Sequence, residues 1–448
     1  MKDRIWYFCV LIILCVCTTG CAHRQQNKDF DASLYDTPYT YVNKTEDGKY
    51  ELYIYSSPVQ FADNGQYKKI DNTLIASNSD KYLYENKSNS IKTYFPEKLD
   101  EGFCISDEGD DMCFYIETME NSENASIVNY RNLYGDIKEA VHYKSGETDI
   151  YVYPINTGIH FEYVFELNDE LTHIPILQAD LENVSVDNFV NEYVQFIRKN
   201  KKNIIVNEPA SMNEQDGLIN IANKWEMDKN DLFIMKPKFK QLDSEGKMHV
   251  EFSIQVHQED IPDTSAYENK EENVYLSNYA AVGRNTDFGE AWYYMRYKIY
   301  YFFSINKSEV LNAEYYLRNL NYQNNQSSVI MYSPLSQWSS TRMVWEDKTD
   351  YLQEPVIASG NDVQNGWISF NITDFVKEQV DEGKGVDETF GALLMSEDEK
   401  AVLATSDNGE FIPYLKIVLS KLPDKFNNHI SVNDDDMVGG GFWEKIFK

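Results

Sequence analysis

Positive charge is scarce in this chain. Of 448 residues, 41 are Lys or Arg and 73 are Asp or Glu, giving a formal net charge of −32. Such a balance excludes nucleic-acid partners, whose phosphates need a basic face, and electrostatic capture by anionic lipid. The apolar run near the start, Ile5–Cys17, is thirteen residues long, short of the ~20 that a spanning helix needs. Proline is sparse, 12 residues spread over the chain, which excludes a low-complexity stalk. Catalytic signatures are missing as well. There is no H-E-x-x-H, no G-x-S-x-G elbow and no phosphate-binding glycine loop, and beyond the first 21 residues no cysteine pair at zinc spacing remains.

The remaining chemistry is dispersed. The histidines are His23, His142, His160, His173, His249, His257 and His429. His160 and Glu162 fall on the same side of a strand, which alternation produces by default. Asp107–Asp111 lacks the ligand order of a calcium-binding loop and reads as a solvated turn; Asp434–Asp436 reads as a linker. Carboxylates are too numerous for a catalytic pair to be picked out by spacing, since such pairs are judged by distance in space. No catalytic residue, metal ligand or cofactor is therefore expected.

Cysteine is scarce and unevenly placed. Cys9, Cys15 and Cys17 lie in the apolar run, Cys21 follows it, and Cys104 and Cys113 complete the set. Lys2 and Arg4, the apolar run and then Thr18-Thr19-Gly20-Cys21 have the order of a secretory signal. Gly20-Cys21 resembles a bacterial lipobox, with Thr18 where that motif prefers leucine. The resemblance implies a signal peptide over 1–20, lipid on Cys21 and a body tethered by that anchor at the extracytoplasmic face of the cell membrane. An uncleaved anchor or plain secretion would also place the body outside the cytoplasm. In an oxidising compartment the remaining pair can bond. If Glu108-Gly109 is a two-residue hairpin loop, Asp107 opposes Asp110 and Cys104 opposes Cys113. That is a closely spaced pair, with alpha carbons about 4.5 Å apart, within disulfide reach. Two reduced core cysteines are the alternative.

Aromatic residues are abundant: 33 Tyr, 23 Phe and 7 Trp. They favour pleated, half-buried surfaces, and any left exposed would suit sugar faces or protein partners. Short alternating runs separated by turn residues predict an all-β fold. A polar tether spans 21–34. A β-rich domain of packed antiparallel sheets is expected over 35–258, with Tyr50–Tyr55 as a strand and Asn64-Gly65 as a hairpin turn. Asp187–Ile197 is ambiguous. Alternation breaks at His257–Asp263, and a second β-region is expected over 264–421, with strands such as Trp292–Phe303, Ala313–Asn321 and Tyr414–Leu419. It carries a single helix, Thr373–Glu382, which Thr373 would cap and Gly383 would stop, with Phe375, Val376, Gln379 and Val380 on one face. Residues 422–448 form an acidic, glycine-rich linker and an aromatic tail. If that tail is helical, Phe442, Trp443, Ile446 and Phe447 cluster on one face, as a docking peptide needs; folding back onto the body is the alternative.

Val274–Gly283, Met295–Tyr300, Ala313–Leu317, Trp338–Trp345, Trp367–Asp374 and Ser406 with Pro413–Ile417 follow one another in an order that resembles the DNRLRE-type β-sandwich, related to carbohydrate-binding module family 96. Tyr55–Val59, Tyr67–Leu74, Asn89–Pro96 and Thr148-Asp149-Ile150 resemble the segment preceding such domains in secreted and wall-associated Firmicutes proteins, including the wall-associated protein A type. Two departures stand out: Val250–Val256 replaces the usual P-V-x-I-D-P exit, and no Tyr-Asp repeat array or toxin follows. Toxin delivery is not implied. The resemblance implies a jelly-roll-like sandwich for the second region.

Trp292, Tyr293, Tyr294, Trp338, Trp345 and Trp367 are candidate platforms for sugar rings, with sandwich core or edge as the plainer role. Tyr293 and Tyr294 must face opposite sides of a strand, so one is expected to face away from the core. The function expected from the sequence is non-catalytic: an envelope lipoprotein that binds glycan or cell-wall polymer, or a surface protein partner. Its rivals are a glycan-degrading enzyme using carboxylate or Tyr/His chemistry, and a structural spacer in a surface or secretion assembly.

Overall fold

The computed structural model describes residues 35–117, 122–166, 174–180, 184–187, 193–199, 201–213, 219–221, 223–229, 232–238, 246–258, 263–271, 274, 277–285, 288–296, 305–321, 328–354, 356–381, 391–396 and 401–423. Cys21 and the tail residues Phe442, Trp443, Ile446 and Phe447 lie outside them. The fold is all-β, built from antiparallel sheets with a single α-helix, Thr373–Asp381, among the described residues.

Two sheets of the first region pack face to face. One runs from Glu123–Arg131 through Ile137–Ser145, Thr148–Ile155 and Gly158–Glu166 to Lys247–Val256, then Ile204–Val206, Val194–Arg198 and Val184–Asp187. The other includes Asp71–Ala76, Tyr84–Ser88, Ile91–Phe95, Phe103–Asp107 and Asp110–Ile116. Phe95, Phe103 and Phe114 from the second sheet meet Tyr143, Phe161, Phe196 and Phe252 from the first in one core. Between the sheets the rings meet edge to face, as do Phe103 and Phe161, 5.2 Å apart, an arrangement that aromatic quadrupoles favour. Of the described residues in the ambiguous stretch Asp187–Ile197, Asp187 ends one strand and Val194–Ile197 lie in the strand paired with it, with Asp187 opposite Gln195.

Turn chemistry sets the hairpin registers. Asn64 and Gly65 both have positive φ, 52° and 80°, and join Gln60–Asp63 to Gln66–Lys69 as a two-residue loop should. Glu108 and Gly109, at 52° and 77°, do the same between Phe103–Asp107 and Asp110–Ile116. Asp107 therefore opposes Asp110 and Cys104 opposes Cys113. The two cysteines form a disulfide with alpha carbons 4.1 Å apart.

The second region is a long sheet folded over on itself. Its inner faces enclose Ala313, Leu317, Ile368, Phe370, Leu415 and Ile417 on one side, and Ala280, Val282, Met295, Met331, Leu394 and Leu403 on the other. The helix lays Val376 against this core with Phe375 and Val380 beside it, and Gln379 is also buried, so the expected face holds. Thr373 has a different use: its hydroxyl accepts from the Ala313 amide at 2.9 Å, tying the helix to strand Val310–Arg318.

The expected unit 35–258 needs a correction at its start. Thr40–Lys44 pairs with Tyr50–Tyr55, and Tyr50–Tyr55 pairs along its whole length with the late strand Tyr414–Leu419. Both early strands thus belong to the sheet of the second region, where Leu52 and Ile54 complete its core. Alternation makes a strand but does not say which sheet receives it.

Candidate functional site

The aromatic residues singled out from the sequence are mostly inside. Trp292, Tyr294 and Trp338 are buried together with Met343 and Leu393, and Trp345 and Tyr351 pack against them. Tyr293 is buried in the main core of the same region, where its hydroxyl donates to Asp263 Oδ2 at 2.7 Å. Tyr293 and Tyr294 do face opposite sides, but each side has its own core, so neither faces solvent. Trp345 and Trp367 are half-buried. Trp292, Tyr294, Trp338 and Trp345 therefore build a second small core under residues 335–352 and around strand Gly289–Met295, while Tyr293 belongs to the main core and Trp367 lies elsewhere.

Trp367 sits at the end of a belt of aromatic rings on the outer face of the second region. Along Tyr50–Tyr55, Leu52 and Ile54 point inward while Tyr53 and Tyr55 point out, half-exposed. The same alternation puts Tyr41, Tyr316 and Tyr414 on that outer face. Register then brings them together: Tyr41 opposes Tyr53, Tyr55 opposes Tyr414 and Tyr414 opposes Tyr316. Ring centroids are 4.8 Å apart for Tyr41 and Tyr53, 5.2 Å for Tyr55 and Tyr414 and 4.6 Å for Tyr316 and Tyr414; Trp367 meets Tyr414 edge-on at 5.7 Å. Because the tyrosine rings stack on one another, they offer edges and phenols outward.

Charged groups line the same strip. Lys416 bonds Glu51 at 2.7 Å, and this contact holds the Glu51 carboxyl below its ordinary range. Tyr53 donates to Glu51 at 3.0 Å and Tyr316 to Glu314 at 2.9 Å. Lys69 stands over the Tyr41 ring at 4.7 Å. Partial burial pushes the Tyr414 phenol up to about 12. Five neighbouring strands, at the usual spacing between strands, make the belt about 19 Å long. Sequence reading missed all of it except Trp367, since its strands lie at both ends of the chain.

A second constellation is buried. Gly158–Glu166 and Lys247–Val256 pair with His160 opposite Ser253, Glu162 opposite Glu251 and Val164 opposite His249. Alternation sends Phe161 and Phe252 into the aromatic core and sends His160, Glu162, His249, Glu251 and Ser253 to the other face. That face is also covered, so both strands are buried at nearly every position. Tyr134, Tyr279 and Phe411 lie in the cluster that covers it.

Most of these polar groups are satisfied mutually. Glu162 Oε1 accepts from the Tyr130 hydroxyl and pairs with His249 Nδ1, each at 2.7 Å. Glu251 Oε1 accepts from Tyr279 at 2.5 Å and from the Tyr134 hydroxyl. His160 Nδ1 meets Ser253 Oγ at 3.0 Å, and its Nε2 lies 3.1 Å from Glu251 Oε2. Nearby, Glu410 binds Lys138 at 2.9 Å and accepts from Tyr153 at 3.1 Å. Burial pushes the Glu251 carboxyl well up and the His160 imidazole down. Burial also opposes ionisation of Glu410, but Lys138 and its other partners outweigh it and hold that carboxyl below its ordinary value. The sequence showed His160 and Glu162 as neighbours on one face; their partner Glu251 comes from a strand far along the chain.

No protein-family model matches the sequence, and no curated protein matches it. Among solved structures, a heparan sulfate lyase HepC mutant from Pedobacter heparinus is similar over 52% of this chain and 42% of its own. The TM-score is 0.26 and the identity 10%. This chain thus spans less than half of that protein, and a likeness of this size says nothing about its activity.

Proposed function

We propose that the protein is a non-catalytic envelope lipoprotein, anchored through Cys21, that binds a hydroxyl-rich polymer of the cell surface, a glycan or wall polysaccharide, along the tyrosine belt. The observation that carries this reading is the row Tyr41, Tyr53, Tyr55, Tyr414 and Tyr316, half-exposed on one sheet face and flanked by Glu51, Glu314 and Lys416. Tyrosine supplies a rigid, amphipathic contact at low entropic cost. Phenols, carboxylates and an ammonium group at regular spacing suit a chain of hydroxyls. The belt replaces Trp292, Tyr293, Tyr294 and Trp338 as the binding residues, since those are buried. Burial of the Tyr–His–carboxylate cluster supports binding over glycan degradation, because a polymer chain needs an open cleft to reach catalytic groups.

Depletion of purified surface polysaccharides from solution by the folded protein tests the proposal. Wild-type protein is expected to deplete at least one, with no new reducing ends or unsaturated products. Tyr53→Ala and Tyr316→Ala are expected to weaken depletion sharply while leaving the melting transition cooperative. Capture of a surface protein, with every polysaccharide ignored, would count against it.

A further inference from the structure

Within the buried cluster, three groups converge and each keeps one ligand atom unused. One ligand atom from each of His160, Glu162 and Glu251 lies within 4.8 Å of the others. The far atom of each side chain is already held: His160 Nδ1 by Ser253, Glu162 Oε1 by Tyr130 and His249, Glu251 Oε1 by Tyr134 and Tyr279. His160 Nε2, Glu162 Oε2 and Glu251 Oε2 are buried and make no hydrogen bond, although Nε2 and the Glu251 oxygen approach to 3.1 Å. Two carboxylates directly opposite each other on paired strands repel, and burying both with one oxygen of each left without a hydrogen bond is costly. A cation between them would relieve both costs.

We infer that His160, Glu162 and Glu251 bind a single divalent transition-metal ion of the zinc class, as a structural centre. One imidazole nitrogen and two carboxylate oxygens supply three of the four ligands of a tetrahedral zinc site, a water molecule taking the fourth position, and the two carboxylates neutralise the ion. Calcium and magnesium favour six or more oxygens, which this face does not assemble. The partners on the far atoms act as an outer shell that fixes ligand orientation. Ligand atoms in a tetrahedral zinc site sit about 3.3 Å apart, given bonds near 2.0 Å, so modest inward rotation of the side chains closes the site. Because Tyr279 belongs to the second region and holds Glu251, the ion also steadies the contact between the two regions.

The test uses the full mature chain. Metal analysis after equilibration with micromolar zinc and desalting is expected to find about one equivalent of zinc per chain, with a melting temperature that rises with zinc and falls with a chelator. Glu162→Gln and His160→Gln should remove both the zinc and its effect on melting. Should those variants fail to fold, Tyr130→Phe keeps all three ligands and is expected to weaken zinc binding about 10–100-fold, the usual cost of losing an outer-shell partner. Cobalt in place of zinc should show tetrahedral visible absorption. Wild-type protein that takes up no zinc and melts identically with and without it overturns the inference, leaving a shared proton between the carboxylates. Zinc taken up equally by wild type, Glu162→Gln and Tyr130→Phe overturns it too.

Discussion

Two sheet faces of this molecule look exchanged. In strands Gly158–Glu166 and Lys247–Val256 the polar residues His160, Glu162, His249 and Glu251 are sealed inside. In strands Tyr50–Tyr55 and Tyr414–Leu419 the aromatic residues Tyr53, Tyr55 and Tyr414 stand half-exposed. Local alternation is the same in both. What differs is whether a second layer covers the outward face: the second region lies over the first pair, whereas no described residue buries the second. Burial of a strand face is thus a tertiary fact. It decides what the side chains can do: enclosed carboxylates must be matched atom by atom, while exposed tyrosines are free to meet a ligand.

Removing a carboxylate should therefore cost very different amounts on the two faces. Glu251→Ala takes the acceptor from Tyr134 and Tyr279 and the neighbour from His160, and is expected to cost about 3–5 kcal/mol, as for a broken buried pair. Glu314→Ala on the belt should cost under about 1 kcal/mol. Urea unfolding of the two variants checks this, and similar losses would erase the distinction.

Next in size is the hairpin disulfide, at one edge of the first region's core. Replacing Cys104 and Cys113 by serine should lower stability by about 2–3 kcal/mol, the loop-closure value for so short a span. Non-reducing mass spectrometry should find the two peptides linked in the wild type. Smaller again is the belt's own contribution to folding. Tyr53→Ala or Tyr414→Ala removes one stacked partner and is expected to cost about 0.5–1.5 kcal/mol, while polysaccharide affinity falls about tenfold or more. A loss of stability without loss of affinity would make the belt a packing feature.

The disulfide was legible in the sequence because a two-residue turn at Glu108-Gly109 leaves a single symmetric register, and register counts residues. The helix was legible for a similar reason, its apolar face repeating within nine residues. The belt was not, because its tyrosines are brought together by pairing between strands at residues 40–55, 310–318 and 414–419, which no local pattern links. Trp292 and Trp338 misled for the opposite reason. An exposed platform and a small core use the same residue types, and only the packing of residues 335–352 over strand Gly289–Met295 tells them apart. The convergence of His160, Glu162 and Glu251 was half visible, since two of the three share a strand.

The smallest expected effect concerns charge on the belt. Lys416 holds the Glu51 carboxyl below its ordinary value of 4.5. Its contribution to stability is therefore fully present above that value and is lost as pH falls through the lower native one. In Lys416→Met the Glu51 carboxyl, followed by NMR, should titrate at higher pH; no change would mean that the pair is not formed in solution.

Residue-resolved tyrosine labelling shows directly whether polysaccharide lies along the belt. Iodination with and without a depleted polysaccharide, read by peptide mass spectrometry, reports which phenols the ligand covers. Tyr41, Tyr53, Tyr55, Tyr316 and Tyr414 are expected to be protected on binding, with exposed Tyr67 labelled equally in both states. Unchanged labelling of the belt in the presence of bound polysaccharide would contradict it.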